Sequence, residues 1–313
     1  MKEENYLLNN DYWFNYCLDI DPKIIKKVIK EIFIETSKNR IHLDIYDEFT
    51  NKSKPTILFV HGTAVYSRFY AEFLYSLHEQ GYRIIGLDLP GHGLSDGRRG
   101  HFSIEELVST ISEVNSYIIE NYNEDVVLIG SSLGGILTLY TIAFDERFKA
   151  GVCVNTALLN EKEYQKEHIK VRGIYKILKP TVPFFSKLLP RLSISVWAYL
   201  DAKNLVKNPE SIELIDILLQ DKILAQKYTL KSLATQMKAA LNRPVETIET
   251  PIMLLNGSHD IIFSVDYMQR IYERLKNSKN KRIEIIPNSS HMVLLENRTE
   301  SIQKIVNWLS NLE

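Results

Sequence analysis

The sequence predicts an α/β protein: a mostly parallel sheet flanked by helices, with a helical cap inserted before the last two strands. Three observations carry that expectation. Short, nearly all-apolar runs alternate with longer helical patterns over most of the 313 residues. The alternation stops between residues 156 and 248 and then returns. Ten of the thirteen glycines fall between Gly62 and Gly135, so one stretch demands unusual backbone geometry and the remainder does not.

Taken in order, residues 1–30 precede the first strand and carry no pattern that assigns them a role. EIFIET (31–36) and RIHLDIYD (40–47) alternate polar and apolar side chains, as half-buried antiparallel strands do. TILFV (56–60), RIIGLDL (83–89), VVLIG (126–130) and GVCVN (151–155) are short and almost wholly apolar, the mark of strands buried on both faces of a parallel sheet. Ser103 and Glu106 form a capping box ahead of Ile104, Leu107, Val108, Ile111, Val114 and Ile118, which predicts a helix over 103–122. A second helix is expected from Leu133 to Phe144. The segment 156–248 reads as helices interrupted by Pro180, Pro183, Pro190 and Pro209. Strands then return at PIMLLN (251–256) and KRIEIIP (281–287), with helices over 265–277 and 299–312. The expected organisation is an N-terminal extension (1–30), a sheet domain built from 31–155 and 249–313, and a cap (156–248).

Composition excludes several classes. Lys and Arg number 38 and Asp and Glu 39, a net charge of −1, which argues against a nucleic-acid partner. Two cysteines, Cys17 and Cys153, are too few for a disulfide scaffold and make no CxxC zinc spacing. Free thiols, an N-terminus without signal-peptide character and the lack of a long apolar run lead us to expect a cytoplasmic protein. On that reading the Asn-x-Ser/Thr triplets at Asn51, Asn288 and Asn297 carry no weight.

Gly130-Ser131-Ser132-Leu133-Gly134 matches G-x-S-x-G directly after a strand and at the start of a helix. Such a turn lifts Ser132 Oγ clear of the sheet at a helix N-terminus, where free amides favour developing negative charge. A serine hydroxyl needs a general base oriented by a carboxylate. In this architecture the chain order is serine, acid, histidine. His291, after the last strand, and Asp260, after PIMLLN, fit that order, and the 31 positions between them hold one helix and one strand. We therefore expect Ser132 to attack, His291 to relay the proton and Asp260 to fix the imidazole tautomer. Asp266 is the rival acid, read instead as a helix cap. Thr63 and Leu133 are the expected backbone donors of an oxyanion hole, with His61 read as a residue that braces its loop.

These motifs resemble the α/β-hydrolase fold and, within it, the monoacylglycerol lipase and lysophospholipase branch. His61-Gly62, the segment DLPGHGLSDGRRGH (88–101) and GSSLGG (130–135) carry the resemblance, which covers about 40–155 and 250–310. Two positions depart from that branch: Ser131 stands where a histidine is common, and Tyr66 or Ser67 where a second histidine is usual. The segment 88–101 has neither a P-loop nor a dinucleotide pattern, and His92, His101, Asp88 and Asp96 read as a braced loop rather than a metal site, so neither cofactor nor metal is expected.

The cap region Lys166–Arg191 holds seven basic residues against Glu167 alone, interleaved with apolar side chains, so a peripheral contact with membrane or lipid aggregates is open beside the plainer reading of a packed cap with solvated lysines. The expected function is hydrolysis of carboxylic esters such as monoacylglycerols or lysophospholipids through an acyl-enzyme. The alternatives are a thioesterase, amidase or C–C hydrolase with the same triad, or a lipid-binding protein of this fold that turns nothing over.

Overall fold

A computed structural model describes residues 11–48, 50–161 and 179–312. The chain first lays Tyr12, Trp13 and Tyr16 into the core and then forms helix α1 (Pro22–Val28), whose N-cap Asp21 accepts from the Lys23 amide. Residues 11–28 are thus packed against the sheet domain, a role the sequence pattern left unassigned.

Strands β1 (Ile29–Glu35), β2 (Arg40–Tyr46) and β3 (Thr56–Val60) follow, then helix α2 (Ala71–His78), strand β4 (Ile84–Leu87) and helix α3 (Ile104–Asn121). Ser103 caps α3 by accepting from the Glu106 amide at 3.1 Å. Strand β5 (Val126–Ser131) runs into helix α4 (Leu133–Phe144), and β6 (Ala150–Val154) closes the first half. The second half adds β9 (Ile252–Gly257), helix α8 (Val265–Arg274), β10 (Arg282–Ile286) and helices α9 (Val293–Glu296) and α10 (Arg298–Leu309). These strands make one eight-stranded sheet in the order β1-β2-β4-β3-β5-β6-β9-β10, with only the β1–β2 and β2–β4 pairs antiparallel. In sequence β4 follows β3, yet β4 and β5 lie on opposite sides of β3. The order of strands reverses there, and a crevice opens at the carboxyl ends of β3 and β5.

One expectation needs correction. β2 is not half-buried: every residue after Arg40 is buried. Its polar alternates, His42 and Asp44, face buried charged partners instead of water.

Between β6 and β9 the described part of the cap contains helix α5 (Val182–Leu188), strand β7 (Ser193–Ser195), helix α6 (Pro209–Gln220), strand β8 (Lys227–Thr229) and helix α7 (Leu230–Gln236). Two expectations change here. A two-stranded antiparallel ribbon, β7–β8, joins the helices. Pro183 and Pro209 open helices rather than interrupt them, because a first-turn residue needs no amide donor. The cap is hydrogen-bonded to the loop after β4: the Thr229 amide donates to Gly100 O (3.0 Å) and the Phe102 amide to Ser232 Oγ (2.9 Å). No described helix is long and apolar enough to cross a membrane.

Candidate active site

The turn between β5 and α4 places Ser132 at φ 57°, ψ −115°, a left-handed conformation that a non-glycine residue adopts at a cost of about 1–3 kcal/mol. The crowding around it explains the small neighbours. A Cβ on Gly134 would sit 2.0 Å from Val60 O, so β3 and α4 pack this closely only with glycine there. The backbone at Ser132 is pinned by its amide donating to Val154 O at 2.9 Å.

The loop after β10 brings His291 Nε2 to 2.9 Å from Ser132 Oγ. On the other side of the ring, His291 Nδ1 lies 2.9 Å from Asp260 Oδ2. The structure thus assembles the three sequence-predicted side chains into one hydrogen-bonded chain from three loops at the carboxyl edge of the sheet. Asp260 is held by more than the imidazole. Its Oδ1 accepts from the Ile262 (2.7 Å) and Phe263 (3.1 Å) amides, and its Oδ2 also accepts from Asn155 Nδ2 at 2.7 Å. Asn155, at φ 56° after β6, was not singled out by the sequence; a polar residue ending a buried parallel strand was the available signal. The rival Asp266 is exposed in the first turn of α8, and the cap of that helix is Ser264, which accepts from the Tyr267 amide. The expectation of Asp266 as a cap is therefore corrected to Ser264.

Leu133 opens α4, so its amide has no helical acceptor, and Thr63 lines the same cavity as Ser132. A Cβ built on Gly62 would lie 3.4 Å from Ser132 Cβ, which places the Thr63 loop against the serine. His61 does not approach that serine as a base. Its Nδ1–H donates to Gly62 O (2.8 Å) while Nε2 accepts from the Leu89 amide (3.0 Å), and burial lowers its pKa, so it is a neutral brace.

The residues 88–101 also act as scaffold. His92, pushed down to about 3 by burial, donates from Nδ1 to Pro90 O and accepts the Tyr228 hydroxyl at 2.9 Å. Tyr228 in turn accepts from the Ala64 amide at 2.9 Å, so a cap residue holds the Thr63–Ala64 loop. His101 meets Thr229 Oγ1, Asp88 meets His42, and Asp96 is exposed, so these four do not converge on a metal. Among the described residues the converging set Glu31, His42 and Asp44 is bridged by Arg68, whose Nη2 contacts both carboxylates. At the two positions that depart from the branch, Ser131 bonds Tyr70, Tyr66 donates to Asp221 Oδ2 (2.6 Å), and the Ser67 amide donates to Asp88 (2.8 Å).

Above Ser132 lies a cavity of about 30 Å³. Val65, Trp197, Leu200, Leu205, Leu218 and Met292 give it an apolar wall contributed largely by the cap.

The sequence profile of the hydrolase family described as "Serine aminopeptidase, S33" matches residues 51–298. The fold is similar to that of Paleococcus ferrophilus monoacylglycerol lipase, with a TM-score of 0.71, 25% identity and coverage of 87% of this chain and 99% of that one. Bos taurus monoacylglycerol lipase ABHD6 is 20% identical over 83% of this chain and 76% of its own length. An uncharacterized abhydrolase domain-containing protein of Dictyostelium discoideum is 27% identical over 83% of this chain, which spans only 27% of that protein.

Proposed function

Because the chain belongs to the serine aminopeptidase S33 family of α/β-hydrolases, we propose that it is a serine hydrolase of carboxylic esters, monoacylglycerols or lysophospholipids among them, with Ser132, His291 and Asp260 as its triad. The observation that carries the reading is the 2.9 Å contact on each side of the His291 ring. In the proposed mechanism Ser132 Oγ adds to the ester carbonyl carbon as its proton passes to His291 Nε2. The amides of Thr63 and Leu133 stabilise the oxyanion. Collapse breaks the bond to the alcohol, which leaves with the proton from His291. Water then repeats the cycle on the acyl-enzyme, releasing the acid and restoring Ser132. Asp260, held by four donors, keeps His291 in the tautomer that accepts at Nε2.

The wall of the cavity favours an acyl group over a peptide N-terminus. An aminopeptidase site needs a carboxylate for the substrate ammonium, and the described lining contains no acidic side chain. The cysteines remain free thiols, in keeping with a cytoplasmic setting. A panel of p-nitrophenyl and glyceryl esters, acyl-thioesters, aminoacyl amides and C–C hydrolase substrates tests the reading. Esters turned over fastest, with Ser132 labelled by a fluorophosphonate, is the expected result. An unlabelled Ser132 sinks it and leaves a lipid-binding protein.

A second reading concerns where the substrate is met. Phe184, Phe185, Leu188, Leu189 and Leu192 are exposed on and beside α5, with Lys187 and Arg191 among them. These side chains support a cap that touches anionic lipid aggregates. Lys166, Lys170, Arg172 and Lys176 of the same basic stretch lie outside the described residues. Co-sedimentation with phosphatidylglycerol vesicles, weakened in Phe184→Ser/Leu188→Ser, is the expected behaviour; equal recovery of both proteins with the vesicles would remove α5 from the contact.

A further inference from the structure

Glu296, at the end of α9, takes no part in the hydrogen-bonded chain of Ser132, His291 and Asp260, yet its carboxylate meets three amides and a hydroxyl. Oε1 accepts from the Lys207 amide and from the Asn208 amide at 2.9 Å, both in the cap just before α6. Oε2 accepts from the Ser290 amide at 3.0 Å and lies 2.6 Å from the Ser290 hydroxyl, whose oxygen is also 2.7 Å from Leu205 O in the cap. Ser290 directly precedes His291. A second thread runs beside the first: the Met292 amide donates to Leu205 O at 3.2 Å, and both of these residues line the cavity above Ser132. One carboxylate therefore ties the cap wall of the pocket to the loop that carries His291.

The size of the cavity gives this tie a consequence. About 30 Å³ accommodates one or two waters and no acyl chain. An acyl chain entering this cavity displaces part of the wall formed by Trp197, Leu200, Leu205 and Leu218. Displacing residues 205–208 takes the Lys207 and Asn208 amides off Glu296 Oε1, while Oε2 still holds Ser290. Resting on the reading of Ser132 and His291 as nucleophile and base, we propose that Glu296 is a positioning residue that couples closure of the acyl pocket to the alignment of His291. With the cap closed, the carboxylate is fixed from both sides and the imidazole faces Ser132. With the cap lifted, it loses its two cap donors and the His291 loop slackens. Proton transfer is then efficient only once the cap has settled over a bound acyl chain.

Glu296→Gln tests the coupling at constant shape, because the amide nitrogen cannot accept and one side of the tie is lost. The rate of Ser132 labelling is measured with a short-chain and a long-chain fluorophosphonate, beside kcat for a short activated ester. The expected result is a long-to-short labelling ratio raised at least fivefold, as the cap opens more readily, together with a kcat lowered at least fivefold. A common factor on all three rates, or no change in any, overturns the proposal and leaves Glu296 a stabilising side chain. Ser290→Ala, which keeps the two cap amides on Glu296 Oε1 but removes the hydroxyl that meets both Glu296 Oε2 and Leu205 O, covers the case in which Glu296→Gln does not fold: its kcat should fall several-fold with the long-to-short labelling ratio raised, and an unchanged kcat or an unchanged ratio is the overturning result. Failure of the unaltered protein to label at Ser132 removes the underlying hydrolase reading as well, and is recognised by its occurring without any substitution.

Discussion

Two buried assemblies of histidine and carboxylate stand in this molecule, and their difference shows what separates chemistry from architecture. His291 has one carboxylate, Asp260, on one face and a hydroxyl, Ser132, on the other, beside a cavity. His42 is fully enclosed among three carboxylates: Asp88 at 2.9 Å, Glu31 at 3.1 Å and Asp44 at 3.5 Å. Arg68 completes that cluster through Asp44 and Glu31, and its Nη1 meets Tyr12 Oη at 3.4 Å. Burial alone would push the His42 imidazolium down, but Asp44 and Asp88 outweigh it and hold its pKa up at about 10. A histidine so firmly charged cannot accept a proton at neutral pH. The same residue types make a hydrogen-bonded chain beside a cavity where one partner can give up a proton, and a structural ion where every partner is a carboxylate.

The largest expected effects break each assembly separately. Ser132→Ala and Asp260→Asn should each lower kcat by about 10⁴-fold or more with the fold intact, read from ester turnover and the melting transition. Arg68→Met should do the reverse. It leaves Asp44 and Glu31 without their guanidinium and should destabilise the protein by roughly 3–5 kcal/mol in urea unfolding, with activity per folded molecule retained. If Arg68→Met lost turnover at unchanged stability, the two assemblies would not be functionally separate.

The next effect depends on pH. With the folded pKa of His42 near 10 and the unfolded value near 6.5, its contribution is complete below about 6.5 and is lost as pH rises toward 10. Glu31 behaves oppositely. The hydrogen bond from His42 holds it down at about 2, so its contribution is complete above about 4.5 and is lost as pH falls toward 2. Unfolding free energies measured from pH 6 to 10 should decline by a few kcal/mol, and His42→Gln should flatten the decline. A His42→Gln variant with the same slope would assign the pH dependence to other groups.

Legibility in the sequence divides along the same line. The parallel strands and the Ser132 elbow could be read because each follows a local rule: apolar runs for strands buried on both faces, small residues where β3 and α4 meet. The ion cluster could not. His42 and Asp44 alternate with apolar residues, and that alternation is the signature of a solvated face; only the tertiary placement of Arg68, 24 positions after Asp44, reverses it. The ribbon β7–β8 was hidden because each strand is three residues long, too short for any periodicity to register. Asn155 and Glu296 act through loops distant in the chain, and neither belongs to a motif.

The smallest expected effect lies where cap and sheet domain meet at the Thr63–Ala64 loop. Ala64 holds φ at 68°, and both its backbone polar groups are satisfied by the cap: its amide donates to Tyr228 Oη and its carbonyl accepts from the Ala225 amide, each at 2.9 Å. The Tyr228 hydroxyl also bonds the Thr63 side chain and donates to His92. Tyr228→Phe leaves the Ala64 amide and His92 Nε2 buried without the hydroxyl, a cost of about 1–3 kcal/mol for each group. It also frees the Thr63 amide to wander from the position that an oxyanion would occupy. The expected outcome is a kcat lowered about tenfold with KM nearly unchanged, less than the ~10²–10³ of removing a donor outright. A melting point that falls while kcat holds would confine Tyr228 to the scaffold, alongside His42. A kcat that falls as expected would extend the reacting assembly across the domain boundary, and would explain why residues 88–101 keep a neutral histidine facing the cap.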